Sequence, residues 1–579
     1  MNVLAFLIPA ILFYGFGYFV YSRWIERKWG MDPSRATPAT TMADGRDYVP
    51  TKPHVLFAHH FATIAGAGPI VGPATALIYG ALPAWLWVVL GGVFIGAVHD
   101  FATLFSSIRN RGRSMAEIAR EHLGTSAFIL FILFLILLIV VVNAVFLQLT
   151  AKSLTSLWPI VKLSLPESQT VFNAVEVHGV LNARIGGIAS TSVILLTFAA
   201  PFLGIAIYKK GLPMRWAYPI GTVVACISIL AGFYHPVTLD AETWQKVFSV
   251  YVFIAAGVPV WVILQPRDFM NVQILYGGLL LLVLALFAAG LQGVGINAPL
   301  ENIRTGSHTP LGSLWPGLFI TIACGAISGF HGIVASGVTS KQITNERYAR
   351  KVGYLAMLGE STLGLCVMLA ISAGIVYSDY LQAVWPENPQ DSNPVLGFAL
   401  GAAGIFEKGF GIPMWLGVVF GILLVEGFVI TTLDTSVRLN RYLFEELWRA
   451  SFREKIPRPL MNPWFNGGLA VLCMWVVAKS GVWVKIWALF GSANQLLGAL
   501  SLLVVTLWLR VIRRPTLYTL VPCVALCVTT LWSLVRLLPR YIADQLWTLA
   551  TFDAFLLLLS LSLILISFTR AFFKRARRP

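Results

Sequence analysis

Charge is what this chain has least of. Only 12% of its 579 residues are Asp, Glu, Lys or Arg, while 57% are hydrophobic and the mean hydropathy is +0.76. A soluble domain of that make-up would have too little polar surface to stay in solution, so the composition points to a polytopic membrane protein. Cysteine is scarce too. Cys226, Cys324, Cys366, Cys473, Cys523 and Cys527 all fall in apolar segments without zinc-finger spacing, and read as buried free thiols. No Gly-Lys-Ser/Thr follows the glycine-rich stretch at 66–72, which excludes a nucleotide-binding loop there. Zincin, nucleophile-elbow and Gly-x-Ser-x-Gly patterns are missing, so an enzyme is not expected. The first apolar run starts at Asn2 with no basic region before it, so no cleavable signal peptide is expected. The net charge of +16 sits in short loops, not on one basic face, which argues against nucleic acid.

Long apolar runs are what the chain does have. About 20 such residues span a bilayer. That rule predicts an all-α protein of about fifteen spans, near 2–21, 56–80, 83–106, 126–150, 187–208, 214–234, 247–264, 270–291, 314–337, 353–376, 413–437, 464–480, 484–509, 516–535 and 546–569. With the N-terminus outside, the loops after odd-numbered spans hold 32 of the 42 Lys and Arg, among them Arg46, Arg109, Arg267, Arg350, Arg453, Lys455 and a tail from Arg570 through Lys574 to Arg578. This asymmetry predicts N-out, C-in. No soluble domain is expected; the largest loops are 151–186 and 377–412.

Two spans read as broken helices. His59–Pro73 and Phe319–Gly332 share the pattern Phe-x-Thr-Ile-Ala followed by glycines, and each carries histidine beside its interruption. Unwound backbone at membrane depth is tolerated where protein buries it or where it lines a cavity, and a pair of such helices marks a transporter's midplane site. The two run in opposite directions, as an inverted repeat requires. The expected units are a first repeat at 56–234, inserted helices at 247–291, a second repeat at 314–509, and accessory helices at 2–21 and 516–569.

The strings HHFATIAGAGPIVGP (59–73), GAVHDF (96–101), FITIACGAISGFHGIVASG (319–337), ITTLDTSVRLNRYLFEE (430–446) and WALFGSANQLLGAL (487–500) closely resemble the carbon-starvation (CstA) family of bacterial membrane proteins. The resemblance runs from Asn2 to about Leu500. It implies proton-driven uptake of peptides, or of pyruvate in some members, across the inner membrane. It also implies kinship with the amino acid–polyamine–organocation transporters and their LeuT-like inverted five-helix repeats.

Ionisable side chains inside spans are costly and are functional candidates by default. The proton-coupling candidates are His59, His60, His99, Asp100, Glu360, Glu426 and Asp434. Each has a plainer reading. His59 and His60 also suit interfacial capping. Asp100 suits a pair with Arg109 or Arg111, although its depth of about two and a half turns favours a buried partner such as histidine. Asp434 suits a gate pair with Arg438 one turn on. In the LeuT-like scheme the helix bearing Asp434, Thr431, Thr432 and Thr435 supplies hydroxyls to a cation site near the first break. Candidate substrate-binding residues are Thr63, Gly66, Gly68, Gly72, Gly325, Ser328 and His331 at the breaks, with Asn494 and Gln495 on a later span. For Gly91 and Gly92, helix packing is the expected role.

The leading expectation is a secondary active transporter with a small-molecule substrate, a coupling proton and the membrane as its partners, and with no cofactor. The alternative is a transition-metal-ion transporter, since three histidines flank the breaks; no His-x3-His pair or methionine in the broken segments supports it.

Overall fold

The computed structural model describes residues 1–44, 48–177, 179–452, 456–481 and 483–573. Arg46, Arg453, Lys455 and the tail from Lys574 onward, counted above among the loop charges, lie outside the described residues. Against the expected fifteen spans, eleven helices among the described residues are long and apolar enough to cross a membrane, or twelve if the bent pair Pro53–Ile64 and Gly68–Tyr79 counts as one. The other three expected segments are helical but short or interrupted: Ala241–Gly257, Pro463–Ala478, and the pair Leu314–Thr321 and Gly329–Gly337.

Two loop expectations are corrected. The 151–186 segment carries a small antiparallel sheet, so the fold is not wholly helical; β1 (Leu157–Pro159) and β2 (Ala174–Val177) flank β3 (Val180–Arg184) in the order β1-β3-β2. The 377–412 segment holds the helices Tyr377–Val384 and Pro394–Phe410. The second starts at a proline in its first turn, where a missing N–H costs nothing, and is capped by the Asn393 side chain on Leu396 N–H. It packs against the long helix Met414–Phe452 through close approaches of Gly417 and Gly421 to Ala403 and Ala399.

A third correction concerns Arg267. The polar run Gln265-Pro-Arg-Asp268 reads as a loop, but the helix already begins at Leu264 and continues to Leu291. Pro266 sits in its first turn, where its missing N–H would have had no intrahelical partner. Arg267 is therefore inside a membrane helix, with its side chain 2% exposed.

Loops expected on one side of the membrane do contact each other. Glu346 accepts from Arg109 and from the Asp32 N–H, Arg350 pairs with Glu26, and Tyr48 donates to the Arg111 carbonyl. On the opposite end Lys162 pairs with Asp379, Lys485 with Asp544, and Asn393 donates to Ser156. The Lys162–Asp379 pair ties the small sheet to Tyr377–Val384. Tyr380 and Trp385, at the end of that helix, both donate to the Thr75 carbonyl and so cover the end of the first broken span.

Candidate functional site

Both expected breaks are present, and both fall inside the shared string. The first half-helix ends at Ile64 and passes through Ala65 at φ −72°, ψ 81°; the other ends at Thr321 and passes through Ile322 at φ −86°, ψ 68°. The same local turn thus ends the helix within Phe-x-Thr-Ile-Ala each time. The two breaks cross in direct contact. A Cβ at Gly68 would lie 2.4 Å from Cys324 Sγ, and one at Gly72 would lie 2.7 Å from the Thr321 carbonyl oxygen. The start of the half-helix after the first break thus lies against the unwound 321–325 stretch of the second. Gly325 rests against Pro73 and Gly364. Gly91 and Gly96 face Ala326, and Gly92 faces Ser361. These glycines let backbone approach backbone.

Breaking a helix frees carbonyl and amide groups that need partners in a membrane. At the second break the partners are side chains that sequence reasoning had missed or read differently. The Trp87 indole donates to the Phe319 and Ile322 carbonyls, and the Trp487 indole to Thr321. Gln495 donates to Phe319 at 2.6 Å. Asn494 accepts from Phe330 N–H at 3.0 Å and bonds Ser328, which is also close to Cys324. Asn494 and Gln495 therefore clasp the unwound segment itself. A tryptophan on each neighbouring helix is a weak sequence signal, because Trp is common in such spans.

Directly after this break, His331 is buried between two carboxyls. Its Nδ1 is 2.8 Å from Asp100 Oδ2 and its Nε2 is 2.9 Å from Glu360 Oε2. Asp100 Oδ1 is in turn 2.8 Å from His99 Nδ1. The side chains of all four are at most 1% exposed. The buried histidine partner expected for Asp100 is thus present twice, and Arg109 instead pairs with Glu346. Chemically the chain is a relay. An imidazole donates from both ring nitrogens only as the imidazolium; with a carboxyl protonated in its place, the proton count is the same and the charge sits elsewhere. A proton can move along the hydrogen bond between His331 and Asp100, and reaches Glu360, whose oxygens lie close but make no aligned hydrogen bond, after a small reorientation.

The remaining candidates separate. His60 is buried and its Nδ1 is 2.8 Å from Thr339 Oγ1, tying the half of the first broken span before its break to the end of the second. His59 and Thr63 share one helix face, and they and Gly66 beyond the helix end keep exposure. Gly66 abuts Thr432, whose Oγ1 would be 3.0 Å from a Cβ there; Thr431 and Thr435 are part-exposed beside it. Hydroxyls of the Met414–Phe452 helix do therefore meet the first break. Asp434 belongs to another centre. Its partner is Arg267, at 2.7 Å, with Tyr251 donating to the same oxygen, also at 2.7 Å. Arg438, the partner considered above, instead donates to the Ala255 and Val258 carbonyls at the end of Ala241–Gly257. Glu426 is fully buried on the same helix as Asp434. Among the described residues no group of three or more His, Cys, Asp or Glu is arranged to hold a metal ion.

The family model described as carbon starvation protein CstA matches residues 2–387 and 382–533. The chain is 30% identical over 595 residues to the peptide transporter CstA of Campylobacter jejuni, covering 93% of this chain and 81% of that protein. It is 31% identical over 572 residues to the peptide transporter CstA of Bacillus subtilis, covering 91% and 89%. It is 30% identical over 607 residues to the pyruvate/proton symporter BtsT of Escherichia coli, covering 92% and 81%. Crystal structures of manganese transporter mutants from Eremococcus coleocola align over 89% of this chain and 95% of theirs, at TM-score 0.45 and 10% identity, too distant to carry an argument. Sequence matches of that length and coverage, on top of the strings at the two breaks, place the chain in the carbon starvation protein CstA family.

Proposed function

We propose that this protein is a secondary active transporter that imports peptides or small carboxylates such as pyruvate by proton symport across the bacterial inner membrane. The observation that carries the coupling is the buried Asp100–His331–Glu360 relay. It joins the second broken helix to the Ala81–Arg109 and Arg350–Gly374 helices, so a proton there biases how these elements sit together. The family relatives named above, peptide transporters and a pyruvate/proton symporter, supply the substrate class.

The substrate falls to the first break. Carbonyls of the second are taken up by indoles and Gln495, whereas His59, Thr63 and Gly66 keep an accessible face beside Thr432. Half-helix ends at such a break attract a carboxylate through their free N–H groups. We read the spans as two inverted five-helix repeats, 56–234 and 314–509, with 247–291 inserted, the N-terminus outside and the C-terminus cytoplasmic. The Tyr380–Trp385 cover on Thr75 then closes the outer end.

Proteoliposomes test this. Peptides and pyruvate are offered with and without an inward proton gradient. Accumulation that a protonophore collapses is the expected result. Equilibration alone would indicate a channel, breakdown an enzyme, and no accumulation of either substrate class would overturn the proposal.

A further inference from the structure

A second buried charge centre lies away from the broken helices, between Gly186–Gly204, Ala241–Gly257, Leu264–Leu291 and Met414–Phe452. One guanidinium serves several carboxyls there. Arg267 pairs with Asp434 at 2.7 Å, reaches Thr431 Oγ1 at 3.2 Å and lies 3.6 Å from Asp268. Asp268 has its Oδ1 buried beside Arg267 without a hydrogen bond, but 34% of its side chain is exposed, so it can carry its charge at the edge. Glu426 cannot: it is fully buried, and neither carboxyl oxygen has a hydrogen-bond partner. It lines a cavity of about 10 Å³ together with Arg267, Ser192, Thr197 and Asn271, room for about one water. Arg267 Nε is likewise buried without a partner. The charged groups around Glu426 are therefore Arg267 and Asp268 from one helix and Asp434 on its own. Ser192, Thr197, Asn271 and Tyr251 are neutral neighbours.

We infer that Arg267 exchanges between Asp434 and Glu426, making the two carboxyls a second proton-transfer site. An unpaired carboxylate buried in this way is too costly to stay ionised, so the carboxyl without the guanidinium holds a proton. In one state Glu426 is protonated and Arg267 pairs with Asp434. In the other Asp434 is protonated and Arg267 pairs with Glu426. Each interconversion takes up one proton at one carboxyl, releases one from the other, and leaves the number of buried charges unchanged. The two acids are eight residues apart, about 12 Å along the helix. Thr431, which Arg267 already touches, lies between them and shortens the guanidinium's move. One water in the cavity can carry the proton at the Glu426 end. The inference stands on this geometry; only its assignment to the transport cycle rests on the proposed function.

Infrared spectroscopy of the full chain in lipid nanodiscs tests the exchange directly. A protonated-carboxyl band, lost in Glu426→Gln, is expected in the unaltered protein. In Asp434→Asn, made together with Asp268→Asn so that the guanidinium has only Glu426 left to pair with, the same band should vanish too. If this double variant keeps the Glu426 band, the exchange does not occur. A mutant cycle on folded yield is the second arm and does not require any one variant to fold well. Each single variant keeps yield within about threefold. In the Asp268→Asn background, Glu426→Gln with Asp434→Asn falls about tenfold or more, because Arg267 is stranded, and adding Arg267→Gln restores yield to within about threefold. Additive losses, or no rescue, would overturn the inference. Neither readout needs transport, so a protein that moves neither peptide nor pyruvate would refute the proposed function and leave this result intact.

Discussion

Asp100 and His331 meet at 2.8 Å across the contact between the Ala81–Arg109 helix and the half of the second broken span that follows its break. One residue is placed by an unbroken helix, the other by the first turn after a break. Any shift of the broken helix therefore changes the distance between a carboxyl and the imidazole that serves it, and proton occupancy and helix position become linked. His331 also reaches Glu360, so removing the imidazole leaves two buried carboxyls facing each other.

His331→Ala is accordingly expected to destabilise the protein by about 3–5 kcal/mol, the usual cost of stranding one side of a buried pair. Thermal melting in detergent reads this. Glu360→Gln keeps an acceptor for His331 and removes the acid. It should fold normally, retain substrate counterflow, and lose accumulation driven by a proton gradient. Unaltered gradient-driven accumulation by Glu360→Gln across pH 5.5 to 8 would remove Glu360 from the coupling path.

Asn494 holds the second break by accepting the Phe330 N–H and bonding Ser328. Asn494→Ala leaves that amide unsatisfied at membrane depth, for a loss of about 1–3 kcal/mol. Asn494→Asp keeps the acceptor and should recover part of the loss. If both variants melt with the unaltered protein, the clasp does not hold the break.

The crossing of the two breaks gives a sharper contrast. Gly68→Ala drives a methyl into the Cys324 side chain, whereas Gly72→Ala drives one into the Thr321 carbonyl. Each should cost about 1–3 kcal/mol by overpacking. Only the first has a remedy: Cys324→Gly in the Gly68→Ala background removes the obstructing sulfur and should raise the melting temperature again. Rescue of both, or of neither, by Cys324→Gly would contradict the contact.

The breaks were legible because glycine, proline and a repeated string interrupt otherwise apolar runs, and the pairing of Asp100 with histidine followed from its depth. Arg267 was not legible. Its proline neighbour reads as a loop, yet the helix starts before it, at Leu264. Helical spacing offered Arg438 as the plainer partner of Asp434, but Arg438 turns to the carbonyls at the end of Ala241–Gly257, a long-range contact that no local periodicity encodes. Glu360 was flagged as a proton-coupling acid and His331 as a substrate-binding residue at the second break, each singly. Their contact depends on how two helices pack, which the sequence pattern does not specify.

The last prediction concerns orientation. Sidedness rests on loop charge, and the loops sort into two groups whose members touch only within a group in the ion pairs described above. Ser451, exposed near the end of Met414–Phe452, belongs with the basic group. Val161, 66% exposed beside β1, belongs with the other. In a background lacking the native cysteines, Val161→Cys should react with a membrane-impermeant thiol reagent in intact cells, and Ser451→Cys should react only after the membrane is opened. The reverse pattern would invert the protein in the membrane and make the Tyr380–Trp385 cover on Thr75 a cytoplasmic closure. Labelling of both in intact cells would place the two groups on one side and break the span count between them, which the helices' alternating direction does not allow.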